Sequence, residues 1–201
     1  MGDLNIYRIC EKSSALGPGT RFVIWVQGCI QHCKGCITPQ SRPLEINHLI
    51  SVGTLAQSII ESKNIDGITI SGGEPFLQAK NLTKLLETVL TSRPELNVIA
   101  FSGYTIEQLI SDKAQKLLHY IDLLIDSPYI EELNDGKGLR GSSNQRLHFL
   151  TDRLLNYRDE LETGGRNNEI ILESNGVHIV GIPRMDINIK NCIFKELQLK
   201  G

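Results

Sequence analysis

The chain has 201 residues, of which 40% are hydrophobic and 22% charged, and its formal net charge is −2 at pH 7. This composition predicts one soluble globular domain, and the lack of excess lysine and arginine argues against a nucleic-acid-binding surface. No apolar run reaches the ~18 residues of a membrane-spanning helix, and the first residues show no signal-peptide core. We therefore expect a cytoplasmic protein with neither a membrane nor a nucleic acid as partner.

The N-terminal segments predict two strands separated by a tight turn. Residues 4–9 alternate apolar and polar side chains, which indicates a half-buried strand at the edge of a sheet. Gly17-Pro18-Gly19 predicts the turn. Residues 22–26 form a near-continuous apolar run, which is typical of a strand buried on both faces in a parallel sheet.

Strand and helix patterns then alternate as far as residue 126. The strands are predicted at residues 67–71, 97–101 and 122–126. The helices are predicted at residues 51–63, capped by Ser51, at residues 82–90, and from a capping box of Thr105 and Gln108 to residue 118. Such repeated βαβ units predict an α/β fold with a parallel sheet, open or curled into a partial barrel.

After residue 126 the regular alternation of strands and helices ends. Residues 131–146 are polar, glycine-rich and too long for a simple connection, which is typical of a loop that carries function. Within them, residues 140–146 either contact a partner protein or a ligand or form a surface loop. A helix is predicted from residue 151 to about residue 162. Residues 169–180 predict a β-hairpin with an Asn175-Gly176 turn, added after the parallel sheet.

Three of the five cysteines, Cys29, Cys33 and Cys36, lie within eight residues directly after the apolar strand at residues 22–26. Three soft ligands on one short loop suit a single [4Fe-4S] cluster whose fourth iron has no protein ligand. The alternative is a structural zinc site with His32 as the fourth ligand. Two further cysteines stand apart and are expected to be bystanders: Cys10 and Cys192.

Gly72-Gly73-Glu74-Pro75 follows the next buried strand, and the carboxyl ends of parallel strands meet at one edge of a sheet. On its own this segment is a weak motif, because glycines there also make ordinary turns. Beside a cluster with an open iron, however, the exposed backbone of Gly72 and Gly73 is suited to hold the charged ends of an amino-acid ligand.

Taken together, Cys29-x-x-x-Cys33-x-x-Cys36 and Gly72-Gly73-Glu74-Pro75 resemble the radical S-adenosylmethionine superfamily, and residues 17–22 resemble its branch that activates glycyl radical enzymes. Within that branch, the chain is similar to the activating proteins of anaerobic ribonucleotide reductases. The segments that carry this closer similarity are residues 101–104, 124–126, 129–133 and 140–145.

The resemblance implies two cofactors, one [4Fe-4S] cluster on three cysteines and S-adenosylmethionine bound to the open iron. One electron from the cluster would cleave S-adenosylmethionine to methionine and a 5'-deoxyadenosyl radical. The resemblance also assigns cofactor-binding residues. They are Gly72, Gly73 and Glu74 at the methionyl amino group, Gly35 as a backbone contact to adenine, and Ser102 and Asp126 along the cofactor site. Asp126 could instead be a carboxylate that caps the next turn.

In such a protein the radical would remove a hydrogen atom from a glycine of a partner enzyme, with a flavodoxin or ferredoxin as electron donor. Two alternatives remain: a radical enzyme that acts on a peptide or small molecule, and a non-enzymatic single-cluster or zinc-binding adaptor. We expect one radical S-adenosylmethionine domain over residues 1–201, with a core at about residues 5–150. The segment at about residues 151–201 would then be a C-terminal extension that could supply a different partner surface.

Overall fold

The computed structural model of the protein describes residues 2–173 and 176–183. One sheet contains strands β1 (Asp3–Ser13), β2 (Arg21–Val26), β3 (His48–Ser51), β4 (Gly67–Gly72), β5 (Asn97–Phe101), β6 (Leu123–Asp126) and β7 (Arg146–Phe149). The helices are α1 (Val52–Glu61), α2 (Ala79–Ser92), α3 (Asp112–Leu118) and α4 (Arg158–Thr163). Strands β8 (Asn168–Glu173) and β9 (Gly176–Gly181) form a separate antiparallel hairpin.

The main sheet has the order β3-β1-β2-β4-β5-β6-β7. Its middle strands β2, β4, β5 and β6 are parallel, and β1 and β7 run antiparallel to their inner neighbours. In the described part of the chain β3 and β7 are the two edges and do not pair with each other, so the sheet is open. The α/β class and the parallel centre of the sheet are therefore confirmed.

Apolar side chains cover both faces of this sheet. In β2, Phe22, Ile24 and Val26 pack on the face that carries α1, α2 and α3, whereas Val23 and Trp25 point to the opposite face. All six residues of β2 are buried. The near-continuous apolar run thus arises because a central parallel strand has no face in contact with water.

Helices α1 and α2 begin and end close to their predicted positions. The Ser51 hydroxyl accepts a hydrogen bond from the Thr54 amide at the start of α1, which satisfies one of the free amides of the first turn. In α2, Leu82, Leu85, Leu86 and Val89 are all 0% exposed, because the 3.6-residue period places them on one face against the sheet.

The prediction that the first strand lies at the edge of the sheet was wrong. Strand β1 lies between β2 and β3, since residues 48–51, for which no strand was predicted, pair with Asp3–Ile6. Strand β3 is four residues long and partly exposed, so it carries little of the alternation from which a strand is predicted.

The predicted helix over residues 105–118 is two elements. The capping box of Thr105 and Gln108 is present, but it opens only a short 3-10 turn, Ile106–Gln108. Helix α3 starts afresh at Asp112, where the Ser111 hydroxyl accepts from the Ala114 amide. Ile110, which falls within the predicted helix, is 79% exposed in the connection between the two elements.

The C-terminal predictions are mostly confirmed. The helix predicted from residue 151 is a 3-10 turn, Asp152–Tyr157, followed by α4. In the hairpin, Glu173 pairs with Gly176, which places Gly176 in β9, while Asn175 of the predicted turn lies outside the described residues. The described residues include no helix with the length and apolar character needed to cross a membrane.

Candidate functional site

A cavity of about 900 Å³ lies at the carboxyl ends of the parallel strands. Three separate segments that were predicted to carry chemistry form its walls, because the exits of β2, β4 and β5 are neighbours in the sheet. The predicted site residues that line it are Cys29, Cys33, Cys36, Gly72, Gly73, Glu74 and Ser102.

The cysteine loop is fixed at its start by backbone hydrogen bonds. The amides of Gly28 and Cys29 donate to the carbonyls of Ser41 and Arg42 at 2.8 and 2.9 Å. The Gly28 carbonyl accepts from the Glu74 amide at 2.8 Å, so the exits of β2 and β4 are joined directly. Gly28 has a φ of +99°, a left-handed conformation that glycine adopts without strain at the point where the loop leaves the strand.

His32 does not line the cavity. Its Nδ1 lies 2.7 Å from the Arg42 guanidinium, which can only donate, so this ring nitrogen is the acceptor. Among the described residues, no group of three or more histidine, cysteine, aspartate or glutamate side chains is arranged to hold a metal ion. A zinc site needs its donors gathered around one ion, whereas a cluster binds each thiolate at a different iron. For the zinc alternative, the loop thiolates and a fourth donor would have to come together around one ion.

The three cysteine thiols of the loop are partly exposed. Burial raises the pKa of Cys29, with hydrogen bonding by the Gln31 amide acting in the opposite direction. Burial likewise raises the pKa of Cys33, opposed by a backbone hydrogen bond from Tyr129, just beyond β6. Both shifts favour the protonated thiols, which would release their protons on binding a metal.

The Gly72-Gly73 turn is required by close packing. A Cβ at position 73 would lie 2.2 Å from the Gly28 carbonyl oxygen, and a Cβ at position 72 would lie 2.7 Å from the Val26 backbone. The Gly73 amide already donates to the Val26 carbonyl at 2.8 Å. The Gly72 carbonyl accepts from the Thr38 hydroxyl at 3.1 Å. Because the amides of Gly73 and Glu74 are also used within the protein, the backbone groups left for a ligand at this turn are the Gly73 carbonyl and the second lone pair of the Gly72 carbonyl.

The Glu74 side chain joins neighbouring strand ends. Its carboxylate, 1% exposed, accepts from the Phe76 amide at 3.0 Å, the Ser102 hydroxyl at 3.0 Å and the Gly103 amide at 2.8 Å. Burial raises the pKa of Glu74 to about 7, although these hydrogen bonds act to lower it. Glu74 therefore holds the exit of β5 against the exit of β4, and Ser102 is one of the groups that it holds.

Glu74→Gln is expected to change how the stability of the apoprotein depends on pH. A carboxyl whose pKa is higher in the folded than in the unfolded state stabilises the fold at low pH, and this stabilisation is lost as pH rises from about 4.5 to about 7. The glutamine variant lacks this titration, so it should gain stability relative to the wild type between about pH 5 and about pH 8. Urea unfolding at about pH 5 and about pH 8 measures the free energy of unfolding of both proteins. If the difference between the two proteins is the same at both pH values, the raised pKa of Glu74 is contradicted.

Asp126 is 0% exposed and does not line the cavity. Its carboxylate accepts from the Ile106 amide at 2.7 Å and from two nitrogens of Arg146 at 2.6 and 3.0 Å. Burial acts to raise the pKa of Asp126, but the hydrogen bonds from Arg146 and Ile106 bring it below its usual range. Asp126 thus caps the turn that begins at Ile106, after the neighbouring strand β5, and not the turn that follows its own strand.

The polar segment at residues 131–146 forms part of the cavity wall. Gly141 and Gln145 line the cavity, and the Gln145 amide group accepts from the Gly141 amide at 2.7 Å and donates to the Ser127 carbonyl at 2.9 Å. Arg140 pairs with Asp135 at 2.9 Å. The segment is therefore an ordered wall whose arginine charges are balanced by neighbouring carboxylates.

The other predicted residues lie away from the cavity lining. Gly35 has a φ of +68° and packs against Glu131, whose carboxyl carbon would lie 2.6 Å from a Cβ at position 35. Cys10 lies on β1, where its thiol donates to the Lys12 carbonyl at 3.2 Å. Cys192 lies outside the described residues.

Several cavity residues were not predicted. Trp25 was recognised only as part of a buried strand, because a run buried on both faces does not reveal which side chains point to which face. The inner part of β1 and the hairpin also contribute, and nothing in their local pattern indicates contact with the cysteine loop. These residues are Tyr7, Arg8, His178, Ile179, Val180 and Gly181.

Comparison with known proteins gives a consistent set of relatives. Residues 15–148 match the family described as "4Fe-4S single cluster domain". The anaerobic ribonucleoside-triphosphate reductase-activating protein of Vibrio cholerae is 36% identical over 143 residues, which cover 67% of this chain and 91% of that protein. The protein of the same name from Enterobacteria phage T4 is 31% identical over a match that covers 74% of this chain and 96% of that protein. The one from Escherichia coli K12 is 28% identical over a match that covers 73% of this chain and 99% of that protein.

Among solved structures, QueE from Escherichia coli aligns with a TM-score of 0.37 and 18% identity over 52% of this chain and 53% of that one. A similarity of this degree carries no argument about the chemistry of the site.

Proposed function

The chain belongs to the family of anaerobic ribonucleoside-triphosphate reductase-activating proteins and contains a 4Fe-4S single cluster domain, and from this membership we propose how its cavity carries out the activation. The protein is a radical S-adenosylmethionine enzyme that generates a glycyl radical on a partner reductase. The observation that carries the proposal is the convergence of the three loop cysteines and the Gly72-Gly73 turn on one cavity of about 900 Å³.

The residues present fit a [4Fe-4S] cluster. Cys29, Cys33 and Cys36 supply three thiolates from a single loop whose start is fastened to β4, so the chain can hold three corners of a cluster and leave one open. A reduced cluster held there would supply one electron for the cleavage of S-adenosylmethionine to methionine and a 5'-deoxyadenosyl radical, which would take a hydrogen atom from the glycine. A flavodoxin or ferredoxin is our proposed electron donor.

Positioning is the task of the neighbouring strand ends. The Gly73 carbonyl oxygen would accept from the methionyl amino group, together with the Gly72 carbonyl oxygen, which also accepts from the Thr38 hydroxyl. Glu74 acts on the ligand indirectly, since its carboxylate is occupied by Ser102 and Gly103. Asp126 does not contact the ligand either; its carboxylate positions Arg146 and the turn after β5. Apolar walls such as Trp25 exclude water from the radical.

We further propose that the open sheet is the partial (β/α) barrel of radical S-adenosylmethionine enzymes and that residues 1–201 act as one domain. An open sheet leaves a side through which a segment of a protein substrate can reach the cavity. The expected cytoplasmic location stays a prediction.

Anaerobic reconstitution with iron and sulfide tests the proposal. The dithionite-reduced protein should convert S-adenosylmethionine to 5'-deoxyadenosine, and with the reductase of the same organism it should produce a glycyl radical, detected by electron paramagnetic resonance. Cleavage without a radical on the reductase would favour a peptide or small molecule as substrate. No cleavage, together with zinc in the isolated protein, would favour the adaptor.

A further inference from the structure

The β8–β9 hairpin lies beyond the residues that match the family. The family match ends at residue 148, before β8 begins. The match to the Vibrio cholerae protein already covers 91% of that relative, so about a tenth of it remains outside the match. The hairpin is therefore a feature of this chain that the shared activation chemistry does not explain.

One face of the hairpin is fastened to the body of the protein. The Ser14 amide and hydroxyl donate to the Glu169 carboxylate at 2.8 and 2.6 Å, and the Arg8 guanidinium lies 2.9 Å from His178 Nε2. Val180, 2% exposed, belongs to the apolar cluster that contains Val23 and Trp25, and Ile171 packs against this cluster. These contacts give the hairpin a defined position as a cavity wall.

The opposite face of the hairpin is apolar and exposed. Ile170 and Ile179 are direct cross-strand partners and are 54% and 38% exposed. Leu172 follows on the same side of β8, two residues from Ile170, and is 78% exposed. Single exposed apolar residues are ordinary, but a contiguous group on one face marks an interaction surface. We call Ile170, Leu172 and Ile179 the hairpin face.

The hairpin face continues into the cavity, because Ile179 belongs to the face and also lines the cavity. A glycine-bearing segment of a protein substrate that enters the cavity along β9 would pass beside this surface. We propose that the hairpin face is a docking surface for that protein substrate, which presents a complementary apolar patch next to its glycine segment. This inference rests on the proposed function and adds to it the place where the partner binds.

Leu172→Lys tests the docking surface, with Ile110→Lys as the matched control. Ile110 is 79% exposed, as Leu172 is 78% exposed, but it lies outside the cavity lining. Burying a lysine charge in an apolar interface is costly, so Leu172→Lys should raise the reductase concentration that gives half-maximal radical formation by about tenfold or more. Ile110→Lys should leave that concentration unchanged, and both variants should cleave S-adenosylmethionine without reductase at the wild-type rate.

Three results would overturn the docking surface. One is equal half-maximal reductase concentrations for the two lysine variants and the wild type. Another is a wild-type dimer that Leu172→Lys converts to a monomer, which would assign the face to a second copy of this chain. The third is a melting temperature lowered by Leu172→Lys alone, which would mean that the chain covers the face itself. If the wild type cleaves S-adenosylmethionine but leaves no radical on the reductase, the proposed function fails instead.

Discussion

Replacing Cys33 by alanine is expected to reduce the iron content of the reconstituted protein from about four atoms per chain to background and to abolish cleavage of S-adenosylmethionine. Cys29, Cys33 and Cys36 line one cavity and come from one loop. A loop with two thiolates holds too few corners of a cluster. Iron and sulfide analysis, the visible absorption of the cluster and the yield of 5'-deoxyadenosine measure the effect.

Cys10→Ala is the control for this experiment. The Cys10 thiol is partly exposed like the loop thiols, but it lies on β1 and donates to the Lys12 carbonyl, outside the cavity lining. This variant should keep the wild-type iron content. Loss of iron from Cys10→Ala, or full iron content in Cys33→Ala, would show that the proposed ligand set is wrong.

Gly73→Ala is expected to disrupt the site by steric conflict, with no loss of a ligand. The added Cβ would lie 2.2 Å from the Gly28 carbonyl oxygen, a backbone atom next to Cys29 that cannot move away as a side chain could. Forcing the exits of β2 and β4 apart should cost ~1–3 kcal/mol of unfolding free energy. Displacement of the cysteine loop from the Gly72-Gly73 turn should slow cleavage by about a hundredfold.

Gly165→Ala provides the matched comparison, because a Cβ at position 165 would have nothing within 4 Å. Its unfolding free energy should change by less than about 0.5 kcal/mol, and its cleavage rate should stay at the wild-type level. Urea unfolding of the apoproteins and 5'-deoxyadenosine yields of the reconstituted proteins distinguish the two variants. Equal behaviour of Gly73→Ala and Gly165→Ala would show that the close contact between the two strand exits does not matter.

The strongest predictions from sequence were those in which residue type and spacing act locally. The burial of β2 followed from its apolar run, and α2 followed from the period of Leu82, Leu85, Leu86 and Val89. The missed strand β3 and the divided helix after Thr105 show where local patterns fail. In both places the secondary-structure element is short and partly exposed, so contacts with distant residues decided its structure.

Residue roles at the site were harder to predict than residue positions. Glu74 and Asp126 were both assigned to the cofactor by resemblance, yet both carboxylates are occupied by hydrogen bonds within the protein. Motif spacing indicates that a residue is close to the site. It does not indicate where its side chain points, because that depends on donors such as Gly103 and Arg146 that come from other strands.

The sequence alone determined that the chain is an α/β protein with a three-cysteine loop at the end of a buried strand, since apolar period and ligand spacing are local properties of the chain. Tertiary structure decided what surrounds that loop. It brought the Gly72-Gly73 turn against Gly28 and turned Glu74 towards Ser102. It also placed the β8–β9 hairpin, which lies far from the cysteines in sequence, along one side of the cavity. Such contacts depend on strand order and on the packing of side chains across the sheet, which no local pattern encodes.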